Sequence, residues 1–146
     1  MAVNNFCYTQ ERDADYFQEE AYDIISRIRD PEFPHTLEEL SVVDQDLIKV
    51  TVDEEHKQVV YEVVWVPTTP SCGFALNIAL CIRTKLEREL STKKFAKIDI
   101  FVQEGKHDNK AAIDRQVNDK ERVCAAMENE DVKGAIEDLI KERPVH

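Results

Sequence analysis

Cys72 stands in the run Pro67-Thr68-Thr69-Pro70-Ser71-Cys72-Gly73, between a β-branched stretch and an apolar one long enough to form a helix. A thiol at the entrance to a helix meets backbone N–H groups that have no intrahelical partner and the positive end of the helix dipole. Both favour the thiolate, the form that attacks electrophiles and binds metals. Two prolines narrow the shapes of the turn, and Gly73 lets another backbone or a ligand come close. Free cysteine is also among the most often buried residue types, so local sequence leaves Cys72 open between a reactive thiol and a small packed side chain.

The other cysteines, Cys7, Cys81 and Cys124, are widely spread, and no Cys-x-x-Cys pair occurs. That excludes a zinc knuckle and a thioredoxin-type motif, and in a reducing compartment all four are expected as free thiols. Cys81 in the apolar half of the same helix and Cys124 between Val123 and two alanines read as core packing, and Cys7 as an exposed thiol. His107 follows Glu104-Gly105 just past a strand, at the end where ligands approach parallel strands. With Cys72 it could form half a metal site or a nucleophile–base couple; the other reading is a solvated loop histidine. His35, His56 and His146 read as surface residues, Asp119-Lys120-Glu121-Arg122 as a solvated helix start, and Trp65 as a strand core residue.

Positioning these groups requires an ordered frame. From Tyr16 to Ile28 apolar residues recur at helical spacing until Asp30-Pro31 ends the pattern. Asp30 to Thr36 is a proline-stiffened loop, and Thr36 to Glu39 has capping-box spacing. Val42-Val43 and Leu47 to Val52 favour an extended chain, Asp53 to Lys57 a turn, and Val59 to Val66 a second strand, together an antiparallel hairpin. Gly73 to Leu90 reads as a helix buried at its start and solvated at its end, where Arg83, Lys85, Glu87, Arg88 and Glu89 lie. Lys97 to Gln103 alternates Ile98, Ile100 and Val102 against Lys97, Asp99 and Phe101, a half-buried third strand that a right-handed crossover sets parallel to the second. From about Asn109 the chain is helical, with a break expected at Asn129 to Asp131 and a stop at Pro144. The expected fold is α+β, a small mixed three-stranded sheet packed with helices in the order α-β-β-α-β-α-α.

Length and charge bound the rest. At 146 residues the chain suits one domain, read as a flexible tail over 1–15 and a single domain over 16–146. Nineteen basic against 30 acidic residues give a net charge of −11, which repels phosphate backbones and anionic headgroups, so direct nucleic-acid binding is not expected. Met1 to Asp13 shows no basic region leading into an apolar run, and the expectation is an intracellular protein. Val63 to Ile82 is uncharged, but Pro67, Thr68, Thr69, Pro70, Ser71 and Asn77 interrupt it, so no membrane span is expected.

Four ordered blocks resemble the Galla/Cia-two family of cytosolic iron–sulfur assembly factors, relatives of the bacterial SufT and PaaD proteins. They are Ile28-Arg29-Asp30-Pro31-Glu32-Phe33-Pro34-His35-Thr36-Leu37-Glu38-Glu39-Leu40, the turn and helix from Pro67 to Leu80, Glu104-Gly105-Lys106-His107, and Arg115-Gln116-Val117-Asn118-Asp119-Lys120-Glu121-Arg122-Val123. The resemblance extends from about the first helix to Asn129. It implies a non-enzymatic adaptor subunit of the cytosolic targeting complex, working in the cytoplasm and also the nucleus. Such a subunit contacts a seven-bladed β-propeller subunit and a HEAT-repeat subunit and helps deliver clusters to apo iron–sulfur client proteins.

The family's reactive cysteine maps onto Cys72, which on this reading contacts a client, a metal or a transient cluster, with no stably bound cofactor. Glu32, Thr68, Glu104 and His107 would shape its pocket, and Asp119, Lys120, Glu121 and Arg122 would meet partners. Two departures matter. The family's Pro-His-Cys reads Pro70-Ser71-Cys72 here, so an adjacent imidazole is missing, and Glu-Gly-Thr-His reads Glu104-Gly105-Lys106-His107, a cation in place of a hydroxyl. A thiol enzyme with Cys72 as nucleophile and His107 as base, and a purely structural interaction module, are the competing readings. Monomer and homodimer both remain open.

Overall fold

The computed structural model describes residues 10–69 and 73–141. Helix α1 spans Gln10–Ser26. It begins at Gln10 rather than Tyr16, so the expected tail is helical over its last residues. Gln10, Glu11 and Arg12 are good helix formers, but without apolar residues they leave no periodic signal. Phe17, Ala21, Ile24, Ile25 and Ile28 form the buried stripe of this segment.

Beyond α1 the loop is fixed by its own side chains. Asp30 Oδ1 accepts hydrogen bonds from the N–H groups of Glu32 (2.7 Å) and Phe33 (3.0 Å). Thr36 and Glu39 form the expected reciprocal capping box, Thr36 N–H to Glu39 Oε1 at 2.9 Å and Glu39 N–H to Thr36 Oγ1 at 3.2 Å. Backbone bonds from Leu37 N–H to Ile28 O, Val42 N–H to Leu37 O and Val66 N–H to Val42 O then tie this loop to the far end of the sheet.

The sheet holds β1 (Ile48–Asp53), β2 (Gln58–Trp65) and β3 (Ala96–Val102) in the order β1-β2-β3. β1 pairs antiparallel with β2, and β2 parallel with β3, as the hairpin and crossover readings require. Val42-Val43, expected to be extended, lie outside the strands, and a 3-10 turn over Gln45–Leu47 leads into β1. Alternation assigns the faces. Ile48, Val52, Val59, Tyr61, Val63, Trp65, Ile98, Ile100 and Val102 are buried, whereas Lys49, Thr51, Val60, Glu62, Lys97, Asp99 and Phe101 on the other face are exposed or half-buried. Among the described residues helices cover one side of the sheet, giving two layers.

Helix α2 (Ala75–Glu89) links β2 to β3. Its solvated half is shorter than expected, because Arg83, Thr84 and Lys85 are buried and only Glu87, Arg88 and Glu89 are exposed. The reason is position: α2 is packed against α1, α3, α5 and β3 at once. Burial of Arg83 is offset at its two terminal nitrogens by hydrogen bonds to the Ile98 carbonyl, Asn118 Oδ1 and Glu87, while its buried Nε has no partner among the described residues.

The C-terminal part divides into three helices rather than the two expected: α3 (Lys110–Val117), α4 (Lys120–Glu128) and α5 (Glu130–Ile140). The expected break at Asn129 is present. Asn129 caps α5 by accepting from the N–H groups of Asp131 and Val132. The additional break at Asn118-Asp119 arises because Asn118 turns its amide onto β3 while Asp119 caps α4 by accepting from Glu121 and Arg122.

Candidate functional site

Because β2 and β3 run parallel and in register, Trp65 opposite Val102, their C-terminal ends leave the sheet side by side. Gln103 N–H donates to the Trp65 carbonyl at 2.8 Å, holding the two exits together. One exit continues through buried Pro67 and half-buried Thr68 to Thr69. The expected helix-entrance position of Cys72, with Pro70 and Ser71, lies outside the described residues. The chain is described again from Gly73, and α2 starts after Phe74, whose exposed aromatic side chain offers no cap to the helix N–H groups. The first turn of α2 carries no acidic residue, so its dipole is not offset by a local carboxylate.

The other exit forms a tight turn closed by Lys106 N–H to Gln103 O at 3.1 Å, with Gly105 at φ 78°. That positive φ is why glycine occupies the centre of the Glu104-Gly105-Lys106-His107 block. Here His107 is half-buried, and its Nδ1 accepts a hydrogen bond from Asn109 N–H at 2.9 Å. A neutral imidazole has one lone pair, so this bond selects the tautomer with the proton on Nε2. Proton abstraction or metal ligation through Nε2 would first require that bond to break. The Glu104 side chain is 92% exposed and lies 3.9 Å from Lys110 Nζ, an arrangement too solvated to hold the carboxylate in one place. Lys110 is held instead by Asp114 and sits 5.7 Å from the Phe101 ring centroid.

The sheet therefore brings Thr68, Glu104 and His107 to one end, beside the start of α2. Glu32 is reached only indirectly, through the backbone relay from its loop to Val66, and its carboxylate is exposed and makes no hydrogen bond among the described residues. Lys120, Glu121 and Arg122 are exposed on the first turn of α4, and Asp119 is the cap of that turn, so three of the four charges face outward. Among the described residues no group of three or more histidine, cysteine, aspartate or glutamate side chains could hold a metal ion.

Cys81 is fully buried and burial pushes its thiol up to about 12, as core packing requires. Cys124 overturns the same expectation, because it is exposed. Val123, Ala126 and Met127 make the half-buried stripe of α4, and Cys124 falls one residue off it, about 100° round the helix. Cys124 lines a shallow cleft of ≈ 280 Å³ with Lys120, Glu121, Ala125 and Glu128.

Three residues that the sequence reading did not single out for this purpose hold the site's strand. The Asn118 amide takes both the N–H (2.8 Å) and the carbonyl (2.8 Å) of Ile100, Asp114 Oδ1 accepts from Val102 N–H at 2.9 Å, and Arg83 meets the Ile98 carbonyl. Asp114 and Asn118 stand at i,i+4, so one helix face presents both; that spacing was the available signal. The Arg115 to Val123 block thus contains two structural residues, an edge clasp and a helix cap.

These features define a two-layer α+β domain whose parallel strand pair delivers two loops to the start of a buried helix. No family model matches the chain. Over 125 residues it is 43% identical to MIP18 family protein galla-1 of Drosophila melanogaster, covering 86% of this chain and 56% of that protein. It is 39% identical to MIP18 family protein FAM96A of Dictyostelium discoideum, covering 84% of this chain and 91% of that protein, and 43% identical to Protein AE7 of Arabidopsis thaliana, covering 84% and 74%. The chain spans just over half of galla-1 and nearly all of FAM96A. It belongs to the MIP18 family, which includes the galla proteins of the sequence resemblance.

Proposed function

We propose that this chain is an adaptor subunit of the cytosolic iron–sulfur targeting complex, and that Cys72 is the residue through which a client, a metal or a transferring cluster is met. Membership of the MIP18 family, at 39–43% identity over most of the chain, is the observation that carries this reading. The geometry supports it: the turn leading toward Cys72 and the loop bearing His107 leave the same sheet end beside an α2 start that lacks a side-chain cap at Phe74. The cluster is cargo, and the chain works in the cytoplasm and nucleus beside a β-propeller subunit and a HEAT-repeat subunit. Among the described residues no helix is long and apolar enough to cross a membrane. Exposed Lys120, Glu121 and Arg122 supply one surface for partner contact. The alternative of a thiol enzyme loses support from His107, whose only neutral-state lone pair is already engaged by Asn109.

The test separates docking from chemistry. Wild type and Cys72→Ser are each mixed with the propeller and HEAT-repeat subunits, then assayed for complex formation and for restoration of iron–sulfur protein activity in depleted cells. Both forms should bind the partners, and only wild type should restore activity. Failure of the folded wild-type chain to bind either partner removes the adaptor reading. Full restoration by Cys72→Ser confines the chain to scaffolding.

A further inference from the structure

The two edges of the sheet are treated differently. Along β3 the outward backbone groups of Ile98, Ile100 and Val102 are met by Arg83, Asn118 and Asp114. Along β1 the outward residues are identified by Gln18, whose Nε2 donates to the Ile48 carbonyl at 2.7 Å. The N–H and C=O of one strand residue point to the same side, so Ile48, Val50 and Val52 face outward while Lys49, Thr51 and Asp53 bond to β2. Beyond Ile48, the outward groups of Val50 and Val52 have no hydrogen-bond partner among the described residues. The pairing with β2 runs unbroken from Ile48 opposite Val63 to Asp53 opposite Gln58, and the strand is mostly β-branched and free of proline. Such an edge is a template for another strand.

We propose that β1 pairs antiparallel with β1 of a second copy of this chain, about a two-fold axis at Thr51, to make a continuous six-stranded sheet. Charge selects the occupant and the register. Centring the pair on Thr51 sets Val50 opposite Val52 of the partner subunit as a hydrogen-bonded pair, and Thr51 opposite Thr51 of the partner subunit as a close, non-hydrogen-bonded one. It also sets exposed Lys49 opposite Asp53 of the partner subunit, and the axis repeats that pair, so the strand is complementary to itself. Centring on Val50 would set Lys49 opposite a threonine, and centring on Val52 would set Thr51 opposite an aspartate. The His56 N–H (3.2 Å) and His56 Nδ1 (2.9 Å) hold the Asp53 carboxylate at the end of the strand and keep its pKa below the usual carboxylate range. A pairing of one short strand buries less than the ~1,600 Å² of a standard interface, so the dimer is weak and reversible.

Sedimentation velocity on the full chain, from micromolar concentrations to about 0.5 mM, tests this. Wild type should shift reversibly from monomer to dimer. Lys49→Asp should weaken the dimer at least about tenfold by facing carboxylate with carboxylate, and Val50→Pro should abolish it by removing an outward N–H at a position where an edge strand tolerates proline. Thr51→Cys should cross-link across the axis under diamide well beyond the background from the native cysteines, and less when combined with Lys49→Asp. A monomer across the whole range overturns the proposal, as does a dimer that Lys49→Asp leaves intact. If Val50→Pro fails to fold by circular dichroism, the Lys49→Asp and cross-linking results decide alone.

Discussion

At the level of single residues, environment sets two thiols apart that the sequence presents alike. Cys81 and Cys124 both sit in helical runs beside apolar neighbours, yet one is enclosed on every side by the core and the other lies one step off the stripe of a surface helix. Only the thiolate alkylates, and a thiol pushed up to about 12 has a thiolate fraction of about one in 10⁴ at pH 8. Native chain treated with iodoacetamide at that pH should be modified at Cys124 within minutes. Cys81 should react at least about a hundredfold more slowly, and rapidly only after denaturation. Mass spectrometry of the digested product reads both rates in one experiment; equal rates would mean that α2 opens far more readily than its burial implies. The same contrast bears on His107. Its Nδ1 is engaged by the neighbouring Asn109 N–H, a partner that residue type and spacing could not reveal.

At the level of elements, the β3 edge is the place where the Arg115 to Val123 block has a physical explanation. Asn118 offers a carbonyl oxygen and an amide nitrogen in the spacing of a peptide group, and so substitutes for the missing fourth strand at Ile100. Asn118→Leu would keep the volume while leaving the Ile100 N–H and carbonyl unsatisfied beside an apolar side chain. A loss of roughly 2–4 kcal/mol is expected from urea unfolding, against within about 0.5 kcal/mol for Gln116→Leu on the exposed side of α3. Equal midpoints for the two variants would show that water serves that edge as well as Asn118 does. Strands and their pairing were legible in the sequence because period-2 alternation over Ile98, Ile100 and Val102 is a local signal, as was the parallel crossover from β2 through α2. The clasp was not legible, since Asn118 pairs with a strand 18 positions away and a helix-ending asparagine looks the same with or without that strand. For the same reason Arg83 read as part of a solvated face: Ile98 and Asn118, which its guanidinium meets, come from later in the chain. At the site, the sequence placed His107 and the Thr68 turn at one sheet end, but the exposure of Glu104 and Glu32 depends on tertiary surroundings that spacing does not encode.

At the level of the whole molecule, α5 packs against α2, and so helps hold the helix whose start lies beside the candidate site. Ile136, Leu139 and Ile140 supply the buried face. Polar ties fix its position: Arg29 N–H donates to the Leu139 carbonyl at 3.1 Å, the Arg29 guanidinium meets the Asp138 carbonyl, and Arg88 grips Glu137 with two hydrogen bonds of 2.9 and 2.6 Å. The Arg88 hydrogen bonds hold the Glu137 carboxyl below the usual range, with desolvation working the other way. A carboxyl whose pKa is lower in the folded than in the unfolded chain stabilises the fold fully above its unfolded pKa, and that contribution is lost as pH falls through the folded one. Glu137→Gln should therefore be less stable than wild type at pH 7. The gap should narrow as pH falls below the unfolded glutamate pKa of about 4.5 and close once Glu137 itself is protonated in the folded chain. Both side chains are partly exposed, so the effect is small and should shrink further in high salt. Urea midpoints of the two proteins measured across this range check the sign. No gap at any pH would mean that α5 is held by its apolar face and the Arg29 ties, without help from Glu137.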